Sequence, residues 1–234
     1  MSSKRLSKRF YQDVTVEGEG REWRVLLDGM QLRTPGKLKL TISTKALAKK
    51  LAGEWEAQTE RINPSVMPVT RLINVAVEQT PDRRQDLIAE ARRYAETDLI
   101  CYRAPQPRIL KERQSKAWDG WREWGALQGI DLKTTESLSA IAQAEASLRA
   151  VEAYAASLDD IRLTLFVHLI AVYGSVILAM AVMRSELSGN AAFDLSRIDA
   201  VYQIELWGED EEQAEITADL RNETQVLSEI LEIL

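Results

Sequence analysis

The sequence predicts an α+β protein, in which a small N-terminal antiparallel sheet-plus-helix domain precedes a larger all-helical C-terminal domain with a buried central helix. Three observations support this fold class. Residues 13–42 alternate apolar and polar side chains with a period of two, as strands with one exposed face do. From residue 43 the apolar residues recur every three or four positions, as in amphipathic helices. The run Leu163–Met183 carries no charged side chain, as expected of a helix surrounded by other helices.

Two turn signals and one clear alternation define the predicted sheet. An Asp-Gly pair at residues 28–29 suits a tight hairpin, because both residue types accept positive φ angles. A Thr-Pro-Gly sequence at residues 34–36 indicates the next turn. The alternation that follows places three apolar residues on one face, which we expect to be buried: Leu38, Leu40 and Ile42.

One helix is predicted to cover this face of the sheet. A residue that can cap a helix, Ser43 or Thr44, precedes an apolar stripe with a spacing of four: Leu47, Leu51 and Trp55. Trp55 is therefore expected to be structural, packed against the apolar face of the sheet.

Breaks that contain proline divide the rest of the N-terminal region. An Asn-Pro pair at residues 63–64 ends the first helix, and Pro68 suits the first turn of a second one. A third break, Thr-Pro-Asp at residues 80–82, is where we place the domain boundary. The predicted domains are residues 1–80, which are α+β, and residues 81–234, which are helical.

The predicted C-terminal domain contains a series of segments whose apolar residues recur with the spacing of a helix. Prolines at positions 105 and 107 end the first stripe, and three tryptophans at a spacing of three mark the second, at residues 118–124. A Ser-Gly-Asn sequence at residues 188–190 predicts a loop. A helix is then expected from Ile198 to about Gly208, and a last helix carries acids along one side.

The run Leu163–Met183 is also long enough to span a bilayer, which leaves a membrane-associated scaffold as an alternative. Thr164, His168 and Ser175 interrupt the run, and such polar groups cost less in a protein core that offers partners. Amphipathic stripes precede and follow it. We therefore expect the run to form the central helix of the C-terminal domain, without stable membrane insertion.

The charge balance and the single cysteine argue against several classes of protein. Thirty basic and 36 acidic residues give a formal net charge of −6, unlike a nucleic-acid-binding protein with its basic face. One cysteine cannot form an internal disulfide, which indicates a reducing compartment. The basic start is too short for a transit peptide and is expected to be a solvated tail that includes Lys4, Arg5, Lys8 and Arg9.

No pattern in the sequence predicts a catalytic, cofactor or metal site. His168 is the sole histidine and lies among apolar residues, which favours a neutral core histidine over a general base. Cys101 is expected to be a small buried thiol rather than a nucleophile. The Gly-Lys pair at residues 36–37 lacks the first glycine and the Ser or Thr of a phosphate-binding loop.

A cluster of acids near the C-terminal end leaves several interpretations open. Residues 203–212 combine a tryptophan, a glycine and five acids. A small-molecule enzyme could use paired carboxylates near Trp207 if burial separated their pKa values. An aromatic side chain ringed by charge is also common where one protein binds another, whereas a tryptophan that fills the core is the structural alternative. Gln203, Trp207 and Asp210 share one helical face if Gly208 does not break the helix.

Several short motifs make the sequence resemble the assembly chaperones of the F-type ATP synthase, which bind the free alpha subunit in mitochondria and alphaproteobacteria. The resemblance covers nearly the whole chain. The motifs, in family order, are Phe10-Tyr11, Leu32-x-Thr34-Pro35, Glu54-Trp55 with Gln58, Met67–Leu72 with Asn74, Asp98–Ala104, Gln114 with Trp118-Asp119, Gly174-Ser175, and Gln203 with Trp207–Asp210.

This resemblance implies a soluble assembly chaperone without catalytic activity, metal or cofactor. It would bind the ATP synthase alpha subunit and shield its exposed interface until the alpha/beta complex forms, as a monomer in the bacterial cytoplasm or the mitochondrial matrix. The candidates for partner binding are Gln203, Glu205, Trp207, Glu209, Asp210 and Glu212. The residues expected to be structural are Trp55, Arg71, Asn74, Asp98, Tyr102 and Gly174.

Overall fold

The computed structural model describes residues 6–137 and 139–234, and within them it shows a three-stranded antiparallel sheet and ten α-helices. The chain divides into two compact units. The N-terminal unit comprises Met1–Asp82 and Glu229–Leu234, and the C-terminal unit comprises Arg83–Ser228. The sheet belongs to the first unit and the second is built of helices, which confirms the predicted α+β fold class.

Three strands form the sheet in the order β1-β2-β3: β1 (Val14–Glu19), β2 (Glu22–Leu27) and β3 (Met30–Gln31). The predicted turn between β2 and β3 is confirmed, because Asp28 and Gly29 have φ angles of 48° and 77°. Beyond β3 the chain turns again and returns beside β2. There Trp23 and Ile42 exchange both backbone hydrogen bonds, at 2.9 and 2.8 Å.

The predicted apolar face of this sheet is confirmed at Leu40 and Ile42, which are buried, and is wrong at Leu38, which is 49% exposed. Leu38 closes a tight turn by accepting a hydrogen bond from the Thr34 N–H at 2.9 Å. Within this turn Lys37 adopts the left-handed conformation, with a φ of 69°. The turn interrupts the extended backbone, so the period of two no longer decides which face Leu38 occupies.

The helix α1 (Lys45–Glu56) covers the sheet as predicted. The Thr44 side-chain oxygen caps it by accepting a hydrogen bond from the Leu47 N–H at 3.2 Å. Leu47 and Leu51 are completely buried, whereas Trp55, at the end of the same stripe, is half-buried. A short 3-10 helix, Pro64–Val66, leads into α2 (Pro68–Glu78).

The predicted solvated tail is wrong for the part of it that the structure describes; Lys4 and Arg5 lie outside the described residues. Lys8 forms an antiparallel bridge with residue 61, and Arg9 donates its backbone N–H to the carbonyl of Glu60 at 2.9 Å. The Arg9 guanidinium also donates to backbone carbonyls. The several N–H donors of a guanidinium can form hydrogen bonds to backbone carbonyls outside helices and strands. The pattern of charges along the sequence does not reveal this role.

The region around the predicted domain boundary is helical. The helix α3 (Thr80–Glu96) begins only two residues after α2 ends, because Pro81 fits the first turn, where its missing N–H has no intrahelical partner. The last six residues group with the N-terminal unit, through hydrogen bonds from Thr44 to the Ile233 carbonyl and from Lys50 to Glu229. The predicted helical domain, residues 81–234, includes those six residues. The division of the chain into domains 1–80 and 81–234 stays a prediction.

The C-terminal unit packs its helices around two central ones, α6 and α7. After α3 the helices are α4 (Arg108–Leu127), α5 (Glu145–Ser157), α6 (Asp160–Tyr173), α7 (Val176–Met183), α8 (Gly189–Ser196), α9 (Ile198–Trp207) and α10 (Glu211–Glu229). The predicted loop at residues 188–190 is instead the start of α8, since the Ser188 hydroxyl accepts a hydrogen bond from the Ala191 N–H and caps the helix.

Most of the run Leu163–Met183 is buried as predicted, with Ala171 exposed, but the run is not one helix. Gly174 ends α6 with a φ of 65°, and the Ser175 hydroxyl caps α7. Asp98, completely buried, accepts hydrogen bonds from the Val176 N–H at 2.8 Å and the Ile100 N–H at 3.2 Å. Burial raises the pKa of Asp98 to about 6, although these hydrogen bonds act in the opposite direction. Across the described part of the chain, no helix is both long and apolar enough to cross a membrane.

Candidate docking surfaces

The acidic corner, which we define as residues 203–212, comprises the end of α9, the connection at residues 208–210 and the start of α10, and it is exposed throughout. α9 is held against α4 by two polar contacts. Gln114 donates to Asp199 at 2.7 Å, and Arg113 pairs with Glu205 at 2.7 Å. Since the same Gln114 side chain accepts from the N–H of Ala104 at 2.7 Å, one buried amide links three segments of the C-terminal unit.

Trp207 projects into solvent at the end of α9. Its side chain is 81% exposed, which rules out the structural interpretation of a tryptophan that fills the core. The indole N–H donates to the Gln203 side chain at 3.1 Å, so these two residues share a helical face as expected. Asp210 does not, because Gly208 ends α9 with a φ of 85° and Asp210 caps α10 by accepting from the Gln213 N–H at 2.9 Å.

Other apolar side chains of α9 and α10 are also exposed: Val201, Ile204, Leu206 and Ile216. Two of them, Val201 and Ile204, line a cavity of about 400 Å³ together with Phe193 and other residues. The sequence places Ile216 on the apolar stripe of the last helix together with Leu227, which is buried. An apolar stripe does not show how far along the helix the neighbouring packed elements extend. The periodicity therefore could not identify Ile216 as exposed.

The acids of the corner differ in how they are paired. Glu205 forms the ion pair with Arg113, and Asp210 caps a helix, so both have intramolecular roles. Glu209 and Glu212 have no hydrogen-bond or ion-pair partner among the described residues. Their charges remain available to a partner protein. An enzyme that separated the pKa values of two carboxylates would bury them, whereas these acids are exposed, so the geometry does not favour a catalytic centre.

The remaining groups that could carry chemistry are dispersed. Cys101 is completely buried, and burial raises the pKa of its thiol, which makes it a poor nucleophile. His168 lies 3.6 Å from a carboxylate oxygen of Glu223. Residues 6–137 and 139–234 contain no group of three or more His, Cys, Asp and Glu side chains that could hold a metal ion.

A groove of about 870 Å³ lies in the N-terminal unit. Side chains from several separate motifs of the sequence line it, including Phe10, Leu32, Pro35, Trp55, Met67 and Asn74. The structural roles predicted for Trp55, Arg71 and Asn74 do not include binding, yet all three residues line this groove. Their structural roles stay predictions. The other three, Asp98, Tyr102 and Gly174, lie in the C-terminal unit, where Tyr102 forms a parallel bridge with Thr135.

One half-buried carboxylate positions the wall of this groove that α2 provides. Glu54, at the end of α1, accepts hydrogen bonds from the N–H groups of Val69 and Thr70 at 2.8 and 2.7 Å, and from the Thr70 hydroxyl at 2.7 Å. Burial raises the pKa of Glu54, while these bonds and the nearby Arg71 act to lower it. Glu54 therefore caps α2 from a neighbouring helix and fixes the face that carries Arg71 and Asn74.

Comparison with known proteins identifies the family. The family model described as ATP12 chaperone protein matches residues 8–126, just over half of the chain. The chain belongs to the ATP12 chaperone family. This match confirms the resemblance found in the sequence. The general function of the chain is that of a chaperone in ATP synthase assembly.

Solved structures show how fully the ATP12 fold is shared. The crystal structure of Atp12 from Paracoccus denitrificans, and that of a point mutant, are each 36% identical, with a TM-score of 0.89 over 97% of both chains. A candidate chaperone from Agrobacterium tumefaciens is also 36% identical, with a TM-score of 0.91 over 97% of this chain and 86% of that chain. The mitochondrial atp12 protein of Schizosaccharomyces pombe is 23% identical, over 92% of this chain and 79% of its own length.

The two surfaces relate differently to these ATP12 relatives. The segment matched by the family model, residues 8–126, contains every residue that lines the groove of the N-terminal unit. The acidic corner lies outside that segment. Both surfaces are therefore candidates for contact with a partner protein.

Proposed function

We propose that this ATP12-family protein binds the free alpha subunit of the F-type ATP synthase and shields its apolar interface until the alpha/beta complex forms. The single observation that carries the docking site is the exposure of Trp207, 81%, at the centre of the acidic corner. A tryptophan of this exposure, with Leu206 beside it, gains free energy when a partner buries it. An unassembled subunit presents an apolar surface of the kind that such a patch can cover.

The charges of the corner would determine which partner docks. Glu209 and Glu212 add negative potential around Trp207, and electrostatic complementarity mainly sets partner choice and association rate. A matching surface on the alpha subunit would carry Lys or Arg around an apolar centre. Binding alone accounts for this activity, so the proposal includes no turnover, cofactor or metal. It places a monomer in the cytoplasm of a bacterium or in the matrix of a mitochondrion.

The test uses purified alpha subunit, whose aggregation is followed by light scattering with and without the chaperone. Trp207→Ala should weaken binding more than tenfold, the effect of a central interface tryptophan worth roughly 2 kcal/mol or more. The matched control is Leu127→Ala, since Leu127 at the end of α4 is 84% exposed and lies outside the corner. This control should protect the alpha subunit as well as the wild type does.

The electrostatic part of the proposal needs its own variants. Glu205→Lys and Asp210→Lys would break an ion pair and a helix cap, so their effects would mix binding with folding. Glu209→Lys combined with Glu212→Lys avoids this problem. The double variant should slow capture of the alpha subunit at low salt and converge with the wild type at high salt. Full protection by folded Trp207→Ala and by this double variant would place the docking site elsewhere.

A further inference from the structure

We propose that the groove of the N-terminal unit is a second docking site, which binds an extended, apolar and acid-bearing segment of an ATP synthase subunit. The identity of the partner rests on the proposed function. The existence of the groove, its apolar lining and its charges do not depend on that function. Its volume of about 870 Å³ lies in the range of sites that enclose a ligand much larger than one side chain.

The apolar part of the groove is open to solvent before a partner arrives. Met30 is 66% exposed, and Phe10 and Val75 are also exposed, although all three line the groove. Phe10 packs edge-to-face on Tyr11 with ring centroids 5.3 Å apart, which holds it at the groove. Exposed apolar side chains gathered around a concave surface mark binding sites more often than single exposed residues do.

Polar groups in the groove fit the main chain of an extended peptide. The half-buried Asn74 amide has no hydrogen-bond partner among the described residues, and a side-chain amide offers one acceptor and two donors, as a peptide group requires. Trp55 also lines the groove, and its buried indole N–H has no acceptor among the described residues. Such a donor is costly unless another group supplies the acceptor. A peptide carbonyl is one such group.

The charges of the groove favour an acidic occupant. Its three charged lining residues are Arg33, Arg71 and Glu78, and Glu78 accepts a hydrogen bond from the Gly36 N–H, which offsets its charge locally. The whole N-terminal unit shows the same bias. Its 14 basic and 12 acidic residues give a formal charge of +2, while the other 16 basic and 24 acidic residues give the C-terminal unit −8. The groove and the acidic corner therefore suit oppositely charged segments.

Overlapping fifteen-residue peptides that cover every subunit of the host ATP synthase are the probe, and fluorescence anisotropy with the full-length chaperone is the measurement. We expect at least one acidic-apolar peptide to bind. Met30→Glu should weaken its binding about tenfold, because a carboxylate then lines an apolar surface that the peptide must desolvate. The matched control is Val66→Glu, since Val66 is 60% exposed in the same unit but does not line the groove.

A second pair of measurements tests the charge. Arg33→Glu should weaken the same peptide several-fold, and replacing the acid of the peptide by lysine should restore binding to this variant. Such recovery in a double-mutant cycle reports a direct contact. Three outcomes would each overturn the groove proposal. Val66→Glu could weaken peptide binding as much as Met30→Glu does, Met30→Glu could bind the peptide as tightly as the wild type, or no peptide could bind at all. A concentration-dependent dimer that Met30→Glu abolishes would also overturn it, because the occupant would then be a second copy of the chain.

The two proposals fail separately. If the wild type protects the alpha subunit but no peptide distinguishes Met30→Glu from Val66→Glu, the groove proposal is wrong and the proposed function stands. If the wild type gives the alpha subunit no protection but a peptide from another subunit binds with the expected pattern of variants, the groove proposal stands and the proposed function is wrong.

Discussion

Replacing Asp98 perturbs the break between the two central helices of the C-terminal unit. This carboxylate is completely buried and accepts the N–H groups of Ile100 and Val176, which belong to different segments of the unit. Asp98→Ala leaves both donors buried without an acceptor, at about 1–3 kcal/mol each, and removes a group that caps α7. We therefore expect the free energy of unfolding to fall by about 3–5 kcal/mol at pH 7.5.

The pH dependence of the same group has a definite sign. The pKa of Asp98 is about 6 in the folded protein, above the ordinary value of 3.8, because burial disfavours the charged form. The extra stability that protonation of Asp98 gives the folded state is therefore complete below pH 3.8 and is lost as the pH rises through about 6, whereas the hydrogen bonds that the carboxylate accepts persist. From these two values the linkage relation gives a gain of about 1.4 kcal/mol in wild-type stability between pH 7.5 and pH 5.

The assay is urea unfolding followed by circular dichroism at several pH values. Asp98→Asn is the matched variant, because it keeps the shape and one acceptor oxygen but cannot titrate. Subtracting its stability at each pH cancels the contributions of other groups, including the carboxyls of Asp28 and Glu145, whose pKa values are lowered. If wild type and Asp98→Asn show the same change between pH 7.5 and pH 5, the reasoning about the buried carboxylate is refuted.

Three further predictions concern single positions. Glu54→Ala should cost about 2–4 kcal/mol in unfolding free energy by removing the acceptor of two N–H groups at the start of α2, and a loss under about 0.5 kcal/mol in urea unfolding would contradict this. Gly189→Ala should lower the melting temperature, because the added Cβ would lie 2.7 Å from the backbone oxygen of Thr224. The control Gly120→Ala in α4 places a Cβ with nothing within 4 Å, so it should leave the melting temperature unchanged or raise it. Cys101 should resist iodoacetamide until denaturant is added, and mass spectrometry that shows rapid alkylation of the folded chain would disprove its burial.

Element type and the burial of long apolar runs could be predicted from the sequence, because both depend on local periodicity. The hairpin at Asp28-Gly29, the capped helix that starts after Thr44 and the burial of Leu163–Met183 all follow from residues close together in the chain. The break inside that run could not be predicted in this way. A glycine in an apolar helix is tolerated in many folds, and here the deciding partner is Asp98, 78 positions before Val176.

Exposure was the second quantity that local patterns did not determine. Ile216 and Leu227 belong to one stripe of the last helix, yet only Leu227 is buried. The same limit applies to Leu38. It alternates with polar neighbours in the sequence as a strand residue does, but the turn that contains it leaves its side chain in solvent. A stripe specifies a direction around the axis of a helix or strand, whereas burial requires another element to lie in that direction.

The sequence by itself determined the family, the fold class and the acidic corner with its tryptophan, since each of these is written in residues that are close in the chain or in a fixed order. Only the tertiary structure decided that Trp207 is exposed, that Asp210 caps a helix, and that the groove exists. The lining residues of the groove come from positions 10 to 79, and they meet because Glu54 holds the start of α2 beside α1. A surface assembled from distant segments depends on contacts that no local pattern encodes.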